Sequence, residues 1–259
     1  MQTQIDPLAR VSEKAVLDQG VQVGPFCVIG DKVEIGANTT IGPHCMIQGP
    51  TTIGKKCSLT GYASIGGPPQ DLSYKGEPTR LEIGDSNTIR EFVTINRGTT
   101  KDQGLTKIGG HNFLMAYCHV AHDCILEDHI VMGNLATLAG HVQVNHHVII
   151  GGLSAIHQFT RIGEYAIIGG GSMVSLDIIP FVKANGNRAR LFGINTIGLE
   201  RNSFGRQKIK EIRQAYRVLF KEGLRMQEAL ERIEKEFTGS AEIMALAAFI
   251  RSSGRGVAR

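Results

Sequence analysis

The sequence lacks several features that identify common classes of protein. It contains no tryptophan, and only 6% of its 259 residues are aromatic while 32 are glycine, which is not the composition of a helical bundle. No run approaches the roughly 18 apolar residues of a membrane span. The first residues show no basic segment followed by an apolar one, as a signal peptide would. We therefore expect a cytoplasmic protein without a membrane span.

The net charge is small but unevenly distributed. It is +4 overall, yet residues 181–259 hold 16 Lys and Arg against 8 Asp and Glu, whereas residues 1–180 hold 12 against 16. A basic segment can attract an acidic partner, and it is also typical of soluble amphipathic helices. Both interpretations stay open at this point, and we expect no nucleic-acid partner.

A repeat of six residues runs through most of the chain. Eleven consecutive hexads start with an aliphatic residue from Ile5 to Ile65, three more follow from Ile83, and twelve run from Ile108 to Val174. Glycine often follows the aliphatic residue. A fixed period of six is a signature of a parallel β-helix, and it fits neither the helical period of 3.6 nor the strand period of 2.

The hexads resemble those of left-handed β-helix proteins, in which three hexads form one triangular coil of 18 residues. The resemblance predicts a mainly β protein, with a left-handed β-helix of hexapeptide repeats over residues 1–190 and a small α-helical domain over residues 191–259. The cysteines stand four residues after an aliphatic position and lack Cys-x-x-Cys spacing. We interpret them as small buried side chains rather than a zinc ribbon or a redox site. They are Cys27, Cys45, Cys57, Cys118 and Cys124.

Two insertions interrupt the repeat, at residues 71–82 and 101–107. Loops on a rigid scaffold often carry binding residues, and the first insertion begins at a stiff turn that presents Gln70 and Asp71. Apolar stripes at helical spacing between residues 209 and 250 predict three helices, the last with Ser240 as its N-cap. We expect these helices to cover the open end of the β-helix.

Three histidines fall close to one coil apart. His122 and His141 are separated by 19 residues, and His141 and His157 by 16, so they should face outward near one edge of successive coils, about 4.8 Å apart per coil. Three interpretations stay open: a general base with binding neighbours, a metal site shared between chains, or a trimer contact. Asp123 directly follows His122, and these side chains could pair only if the segment turns a corner.

Four segments resemble one family closely. They are residues 119–124 (His-Val-Ala-His-Asp-Cys), 138–142 (Leu-Ala-Gly-His-Val), 156–159 (Ile-His-Gln-Phe) and 76–84. Together with both insertions, the stretch 193–201 and the helical tail, they are similar to the bacterial UDP-N-acetylglucosamine O-acyltransferases of lipid A synthesis.

The resemblance implies a homotrimer that transfers a 3-hydroxyacyl chain from acyl carrier protein to the 3-position of the sugar in UDP-N-acetylglucosamine, with no metal and no cofactor. His122 would be the general base, Asp123 would orient it, and the N–H of Gly140 would stabilise the oxyanion. Gly170 would set acyl length and leave room for a long chain. The basic tail would attract the acidic carrier protein. The positions that match substrate-binding residues are Gln70, Asp71, His119, His141, His157, Gln158, Asn195 and Arg201.

Three positions depart from the family pattern. Ser73 stands where many relatives have lysine, and Asn96 and Arg188 stand where histidine is common. These differences leave open the nucleotide affinity, the acyl length, and whether the acceptor is the 3-hydroxyl or a 3-amino group. A zinc-dependent enzyme of the carbonic-anhydrase type and a scaffold without activity are the alternatives on the same fold.

Overall fold

The computed structural model describes residues 2–259 and shows a triangular prism of short parallel strands. The strands form three sheets, A, B and C, and each strand pairs with the strand one coil before and one coil after. Val23, for example, aligns with Ile5 in the preceding coil and with Ile41 in the following one. Because the chain passes through the three sheets in turn, the predicted parallel β-helix is confirmed.

The strands are numbered along the chain. Sheet A contains β1 (Gln4–Ile5), β4 (Gln22–Val23), β7 (Thr40–Ile41), β10 (Ser58–Leu59), β13 (Thr88–Ile89), β16 (Phe113–Leu114), β19 (Val131–Met132), β22 (Ile149–Ile150), β25 (Ile167–Ile168), β27 (Val182–Asn185) and β28 (Arg190–Ile194). Sheet B contains β2 (Arg10–Val11), β5 (Val28–Ile29), β8 (Met46–Ile47), β11 (Ser64–Gly67), β14 (Thr94–Asn96), β17 (His119–Val120), β20 (Thr137–Leu138), β23 (Ala155–Ile156) and β26 (Met173–Val174). Sheet C contains β3 (Val16–Leu17), β6 (Val33–Ile35), β9 (Thr51–Ile53), β12 (Arg80–Ile83), β15 (Leu105–Ile108), β18 (Ile125–Leu126), β21 (Gln143–Val144) and β24 (Arg161–Ile162).

From the second coil onwards, the aliphatic residue of each hexad points into the prism. Ile47, Ile65, Ile95, Val120 and Leu138 follow one another along sheet B and are all fully buried. Each coil can bury these side chains only against its neighbours, so stability is built from contacts between adjacent coils. All five cysteines are free and buried, as predicted.

Tight turns join the sheets at three edges, and most coils place a residue with positive φ at each edge. The A–B edge carries Phe26, His44, Tyr62, Phe92, Tyr117, Leu135, Leu153 and Gly171, and the C–A edge carries Asn38, Lys56, Ser86, His111, His129, His147, Tyr165 and Phe181. The B–C edge carries Lys32, Asp123, His141 and Phe159. The left-handed conformation is unfavourable for residues other than glycine, so the hydrogen bonds between coils must hold these turns in place.

Both insertions leave the prism at the B–C edge. Loop 1 covers residues 68–79 and loop 2 covers residues 97–104, so the predicted bounds of 71–82 and 101–107 were too late at both ends. Arg80–Glu82 and Leu105–Lys107 pair with each other in sheet C. The first three residues therefore belong to β12 and the other three to β15. Extended residues that continue the sheet are therefore part of the coil and not of the loop.

Four helices follow the last coils: α1 (Thr196–Arg201), α2 (Arg206–Lys221), α3 (Met226–Glu236) and α4 (Ala241–Arg251). The predicted domain boundary between residues 190 and 191 falls inside β28, which pairs antiparallel with β27 at the end of sheet A. The hydroxyl of Tyr216 in α2 accepts a hydrogen bond from Gly193 N at 3.2 Å and fixes the helix to β28. Ser240 precedes α4 as predicted, but its hydroxyl makes no capping hydrogen bond.

The helical part and the segment after α4 pack back onto the last coils. The guanidinium of Arg161 lies 4.2 Å from the centre of the Phe249 ring in α4. Asp177 forms a parallel β-bridge with Val257, and its carboxylate accepts a hydrogen bond from the Ser253 hydroxyl at 2.8 Å. Within residues 2–259, no helix is both long and apolar enough to cross a bilayer.

Candidate active site

The B–C edge brings the candidate residues together. His122 and Asp123 form the turn between β17 and β18, and His141 occupies the same turn one coil later. Loops 1 and 2 leave the prism at this edge in the coils just before. The expected column along one edge is present for His122 and His141, although their side chains are only 16% and 12% exposed.

His122 and Asp123 are adjacent residues whose side chains pair. Asp123 has a φ of 59°, and this left-handed turn brings the two side chains to the same side of the chain. The Nδ1 atom of His122 lies 2.8 Å from Oδ2 of Asp123. The segment does turn a corner, so the condition for a histidine–aspartate pair is fulfilled.

Asp123 is buried, and hydrogen bonds hold both its carboxylate and its backbone. The N–H of Thr99 donates to Oδ1 at 2.8 Å, and the hydroxyl of Thr99 donates to Oδ2 at 2.7 Å. The Asp123 N–H donates to the hydroxyl of Thr106 at 2.8 Å. Burial raises the pKa of Asp123, but hydrogen bonds from His122 and Thr99 and the nearby His141 together hold this pKa below its usual value. The carboxylate is therefore ionised and can stabilise a cationic imidazole.

His141 packs beside the pair. Its ring is perpendicular to that of His122, with centres 5.3 Å apart, and it stacks on Phe159 at 4.4 Å. Its Nε2 lies 3.6 Å from Oδ2 of Asp123, and its Nδ1 lies 3.5 Å from a carboxylate oxygen of Asp102 in loop 2. Both ring nitrogens thus face acidic groups.

Gly140 is the residue against which the His122 ring rests. A Cβ at this position would lie 2.5 Å from Cε1 and 2.8 Å from Nε2 of His122, closer than real side chains approach. A side chain here would push the imidazole away. Because Nδ1 of His122 pairs with Asp123, Nε2 is the ring nitrogen left free to exchange a proton.

His119 projects from β17 next to the pair. Its Nδ1 lies 2.7 Å from the hydroxyl of Thr94 one coil earlier. Burial, together with the proximity of His122, lowers the pKa of His119 below its usual value. A neutral ring at this position can exchange hydrogen bonds with a bound hydroxyl group.

His157 and Gln158 are exposed one coil beyond His141. Nδ1 of His157 lies 3.1 Å from the carbonyl oxygen of Gln158 and 3.2 Å from Nη2 of Arg255. His157 and Arg255 line a groove of about 1100 Å³, whose wall also includes Arg188 and Phe192. This groove has room for the extended part of a substrate.

Loop 1 contributes Gln70 and Asp71. Gln70 is exposed, whereas Oδ2 of Asp71 accepts a hydrogen bond from Nζ of Lys101 in loop 2 at 2.7 Å. Asp71 Oδ1 also accepts from the N–H and the hydroxyl of Ser73, each at 2.9 Å. These contacts, led by that of Lys101, hold the pKa of Asp71 far below its usual value. The two loops are therefore tied together beside the pair.

Asn195 and Arg201 lie away from the B–C edge. Asn195 is buried at the start of α1, where its Nδ2 donates to the carbonyl of Tyr165 at 2.9 Å and its Oδ1 accepts from Gly198 N. Tyr165 belongs to the C–A edge, so Asn195 faces a different edge of the prism from His122. Arg201 ends the same helix and is exposed. Within one chain, these two residues are not brought to the candidate site.

The remaining predicted positions lie in other parts of the prism and in the groove. Gly170 is exposed at the A–B edge, and a Cβ there would lie 3.1 Å from the carbonyl oxygen of Gly152. Asn96 is buried and its amide donates to the Pro68 carbonyl at 2.8 Å, so it holds the start of loop 1. Arg188 is exposed in the groove.

Loop 2 supplies residues that sequence reasoning missed. Thr99, Lys101 and Asp102 each contact a predicted site residue. Thr106, in β15 directly after the loop, fixes the turn at Asp123. The position of the second insertion was the available signal. Its individual residues could not be chosen, because which of them fold back onto the prism depends on the loop conformation.

Three side chains here could together approach a metal ion. One ligand atom each of His122, Asp123 and His141 lie within 4.8 Å of one another, and no other such group occurs in the part of the chain that the structure describes. However, both oxygens of Asp123 already accept hydrogen bonds from Thr99. The arrangement suits proton transfer better than metal binding, since an ion would have to compete with these contacts.

Family models and the fold identify the class of the protein. The model for bacterial transferase hexapeptide repeats matches residues 14–49, and the model described as UDP-N-acetylglucosamine O-acyltransferase, domain 2, matches residues 177–258. A β-helix of hexads with a histidine–aspartate pair at one edge defines a hexapeptide-repeat acyltransferase.

Relatives identify the family. A protein of Alkalilimnicola ehrlichii named acyl-(acyl-carrier-protein)–UDP-N-acetylglucosamine O-acyltransferase is 52% identical over 257 residues, which are 99% of this chain and 100% of that protein. The chain belongs to the UDP-N-acetylglucosamine O-acyltransferase family. A protein of the same name from Thermodesulfovibrio yellowstonii is 49% identical over 256 residues, with 99% of each chain covered. A solved structure from Acinetobacter baumannii superposes with a TM-score of 0.96 at 43% identity, covering 98% of this chain and 99% of that one. The left-handed β-helix fold is therefore confirmed.

Proposed function

We propose that this acyltransferase moves a 3-hydroxyacyl chain from acyl carrier protein to the 3-hydroxyl of the sugar in UDP-N-acetylglucosamine, the first step of lipid A synthesis. The names of its full-length relatives support the donor and the acceptor. The observation that carries the chemistry is the 2.8 Å contact between His122 and Asp123 at a corner of the prism.

His122 acts as the general base. Asp123 holds the proton on Nδ1, so Nε2 takes the proton of the sugar hydroxyl while the oxygen attacks the thioester carbonyl. The imidazolium that forms is stabilised by the buried carboxylate. When the tetrahedral intermediate collapses, the C–S bond breaks and Nε2–H returns the proton to the thiolate of the carrier. His122 is then ready for another cycle.

The N–H of Gly140 stabilises the oxyanion. A glycine at this position lets the His122 ring and the reacting carbonyl approach the same stretch of backbone. A backbone N–H near the developing negative charge lowers the barrier because the donor is already oriented. The proposed base and the proposed oxyanion donor thus face the same point.

Substrate binding is assigned to residues around this point. Gln70 and Asp71 of loop 1, His119 of β17 and His141 would contact the sugar and the reacting group. His157 and Gln158 would contact the phosphate or pantetheine part, and Gly170 and Arg188 would limit the acyl chain. We expect the glycine at position 170 to leave room for a long chain, of myristoyl rather than decanoyl type.

Asn195 and Arg201 support a trimer. They match substrate-binding positions of the family but lie by the C–A edge of their own prism. If the C–A side of one chain faces the B–C edge of the next, these residues complete the neighbour's site. We therefore propose a homotrimer with active sites between chains.

The test is a transfer assay with defined substrates. Purified protein is expected to form 3-O-acylated UDP-N-acetylglucosamine from 3-hydroxyacyl carrier protein, with C14 used faster than C12 or C10. The same assay with the 3-amino analogue of the sugar decides the acceptor. No transfer to either sugar from any of the three donors would contradict the proposal.

The cluster of His122, Asp123 and His141 leaves a zinc enzyme as the second candidate. Metal analysis of the purified protein separates the two functions. We expect less than stoichiometric zinc and full transfer activity after treatment with a chelator. Stoichiometric zinc that survives dialysis, with activity that is lost when it is removed, would favour the second candidate.

A further inference from the structure

Thr99 in loop 2 makes two hydrogen bonds to one carboxylate. Its N–H donates to Oδ1 of Asp123 at 2.8 Å and its hydroxyl donates to Oδ2 at 2.7 Å. Both residues are 3% exposed. A carboxylate held at both oxygens by one residue cannot rotate about its Cβ–Cγ bond without breaking a buried, charge-assisted hydrogen bond.

The orientation of this carboxylate decides how it meets His122. The same Oδ2 that accepts the Thr99 hydroxyl also lies 2.8 Å from Nδ1 of His122. A rotated carboxylate would turn this oxygen away from the ring, so the proton could sit on either ring nitrogen. Only the form with the proton on Nδ1 leaves Nε2 free as a base.

We propose that Thr99 is a positioning residue that orients the Asp123 carboxylate and thereby fixes the proton of His122 on Nδ1. Its own place is fixed by loop 2, because its carbonyl accepts a hydrogen bond from Gly104 N at 3.0 Å. The preceding Gly98 allows the chain to approach the end of the loop, since a Cβ there would lie 2.2 Å from Leu105 N. Loop 2 thus supports the general base in addition to any contact with substrate.

The kinetic test compares Thr99→Val, which removes the hydroxyl at equal size, with Thr99→Ser, which keeps it. This kinetic test rests on the proposed transferase activity. We expect Thr99→Val to lower kcat about 10-fold, as for the loss of one charge-assisted hydrogen bond, with KM for both substrates within about two-fold. The acid limb of the pH–rate profile should move to lower pH, because the Asp123 carboxylate no longer stabilises the imidazolium of His122. Thr99→Ser should restore kcat and the profile.

The matched control is Thr160→Val. Thr160 is fully buried at the same B–C edge, and its hydroxyl has no partner in the described residues. Its loss should leave kcat unchanged. Thr99→Ala is measured in parallel. A Tm that is lower in Thr99→Val but not in Thr99→Ala would reveal a packing defect caused by valine. An unchanged kcat in Thr99→Val and Thr99→Ala, or a loss of kcat without a change of the pH–rate profile, would overturn the positioning role.

A second readout does not need activity. Carbethoxylation of His122 by diethyl pyrocarbonate, followed by mass spectrometry across pH, reports how readily the ring reacts. The midpoint of the rise in His122 reactivity with pH should lie at lower pH in Thr99→Val than in the wild type and in Thr160→Val. An identical midpoint would contradict the inference. If the midpoint shifts but the wild-type chain transfers no acyl group, the proposed function fails while the positioning role stands.

Discussion

One residue in an unusual backbone conformation makes the candidate site. The φ of 59° at Asp123 places two adjacent side chains in contact, which a strand could not do. Thr99 and Thr106 hold this turn through its carboxylate and its N–H. The chemistry therefore depends on the residue that turns the corner as well as on the histidine before it.

Asp123→Asn tests this pairing. The amide keeps the size of the side chain but loses the charge that stabilises the imidazolium. Its NH₂ group must also face a donor of Thr99 or His122, where the carboxylate had an accepting oxygen. We expect kcat to fall about 100-fold or more, with little change in KM. Steady-state kinetics on both substrates measure it. A variant with kcat close to that of the wild type would show that the carboxylate does not assist the base.

The three edges of the prism carry different features. Both loops and the histidine–aspartate pair share the B–C edge, whereas rings stack along the other two. Five rings from Phe26 to Tyr117 stack along the A–B edge, and His111, His129, His147 and Tyr165 stack along the C–A edge. The stacked edges hold adjacent coils in register and leave the third edge to carry the loops.

Lys101→Ala tests the tie between the loops. Its ammonium binds Asp71, which we assign to substrate binding. Without it, loop 1 is held less firmly, and KM for the UDP-sugar should rise about two- to five-fold, as expected for a partly exposed ion pair. The kcat should change less. Lys14→Ala, which removes the exposed ion pair with Asp31 in the first two coils, is the control. An unchanged KM would mean that the tie does not order loop 1.

The histidine stack at the C–A edge makes stability depend on pH. Burial, and then the neighbouring His129 and His146, lower the pKa of His147, against a smaller opposing effect of Asp128. The unfolded chain therefore binds more protons than the folded one below about pH 6.5. The stability is fully present above this pH and decreases as the pH falls.

His147→Gln should weaken that dependence. Thermal unfolding of the variant should show a smaller fall in Tm between pH 7 and pH 5 than the wild type, because one buried imidazole no longer takes up a proton. His44→Gln in the A–B stack is the control. Equal slopes for His147→Gln and the wild type would contradict the assignment.

At the scale of the whole molecule, one chain holds an incomplete set of the proposed residues. His122, the proposed base, lies at the B–C edge. Asn195 lies near the C–A edge, at the start of the short helix that Arg201 ends. In a closed ring of three copies, each edge of one chain can meet a different edge of the next. The proposed trimer would join the two sets.

Mixed trimers test this directly. His122→Ala and Arg201→Ala chains, each weakly active alone, are expressed together. If a site uses His122 of one chain and Arg201 of the next, random assembly restores roughly a quarter of the sites. Activity well above that of both parents is the expected result. Activity no greater than the mean of the parents would place the two residues in the same site of one chain, or outside it.

The coils could be predicted from the sequence because the six-residue repeat determines which residues align between adjacent coils. The cysteines, and the aliphatic positions from Val23 onwards, are buried as expected, whereas Ile5 in the first coil is exposed. The column of His122 and His141 follows from the period of 18 residues. The ends of the loops could not be predicted, because Arg80 and Leu105 carry no hexad signal yet pair in the sheet. The roles of Thr99 and Asp102 depend on how loop 2 folds back, which no repeat encodes.

The most direct test of the account is the transfer rate of His122→Ala with 3-hydroxyacyl carrier protein and UDP-N-acetylglucosamine, measured beside His44→Ala from the A–B edge. General-base catalysis contributes about 100- to 10,000-fold, so the first variant should lose that factor while both proteins keep the same fold and assembly. The second should match the wild type. A His122→Ala protein that retains most of the wild-type rate would contradict the central claim.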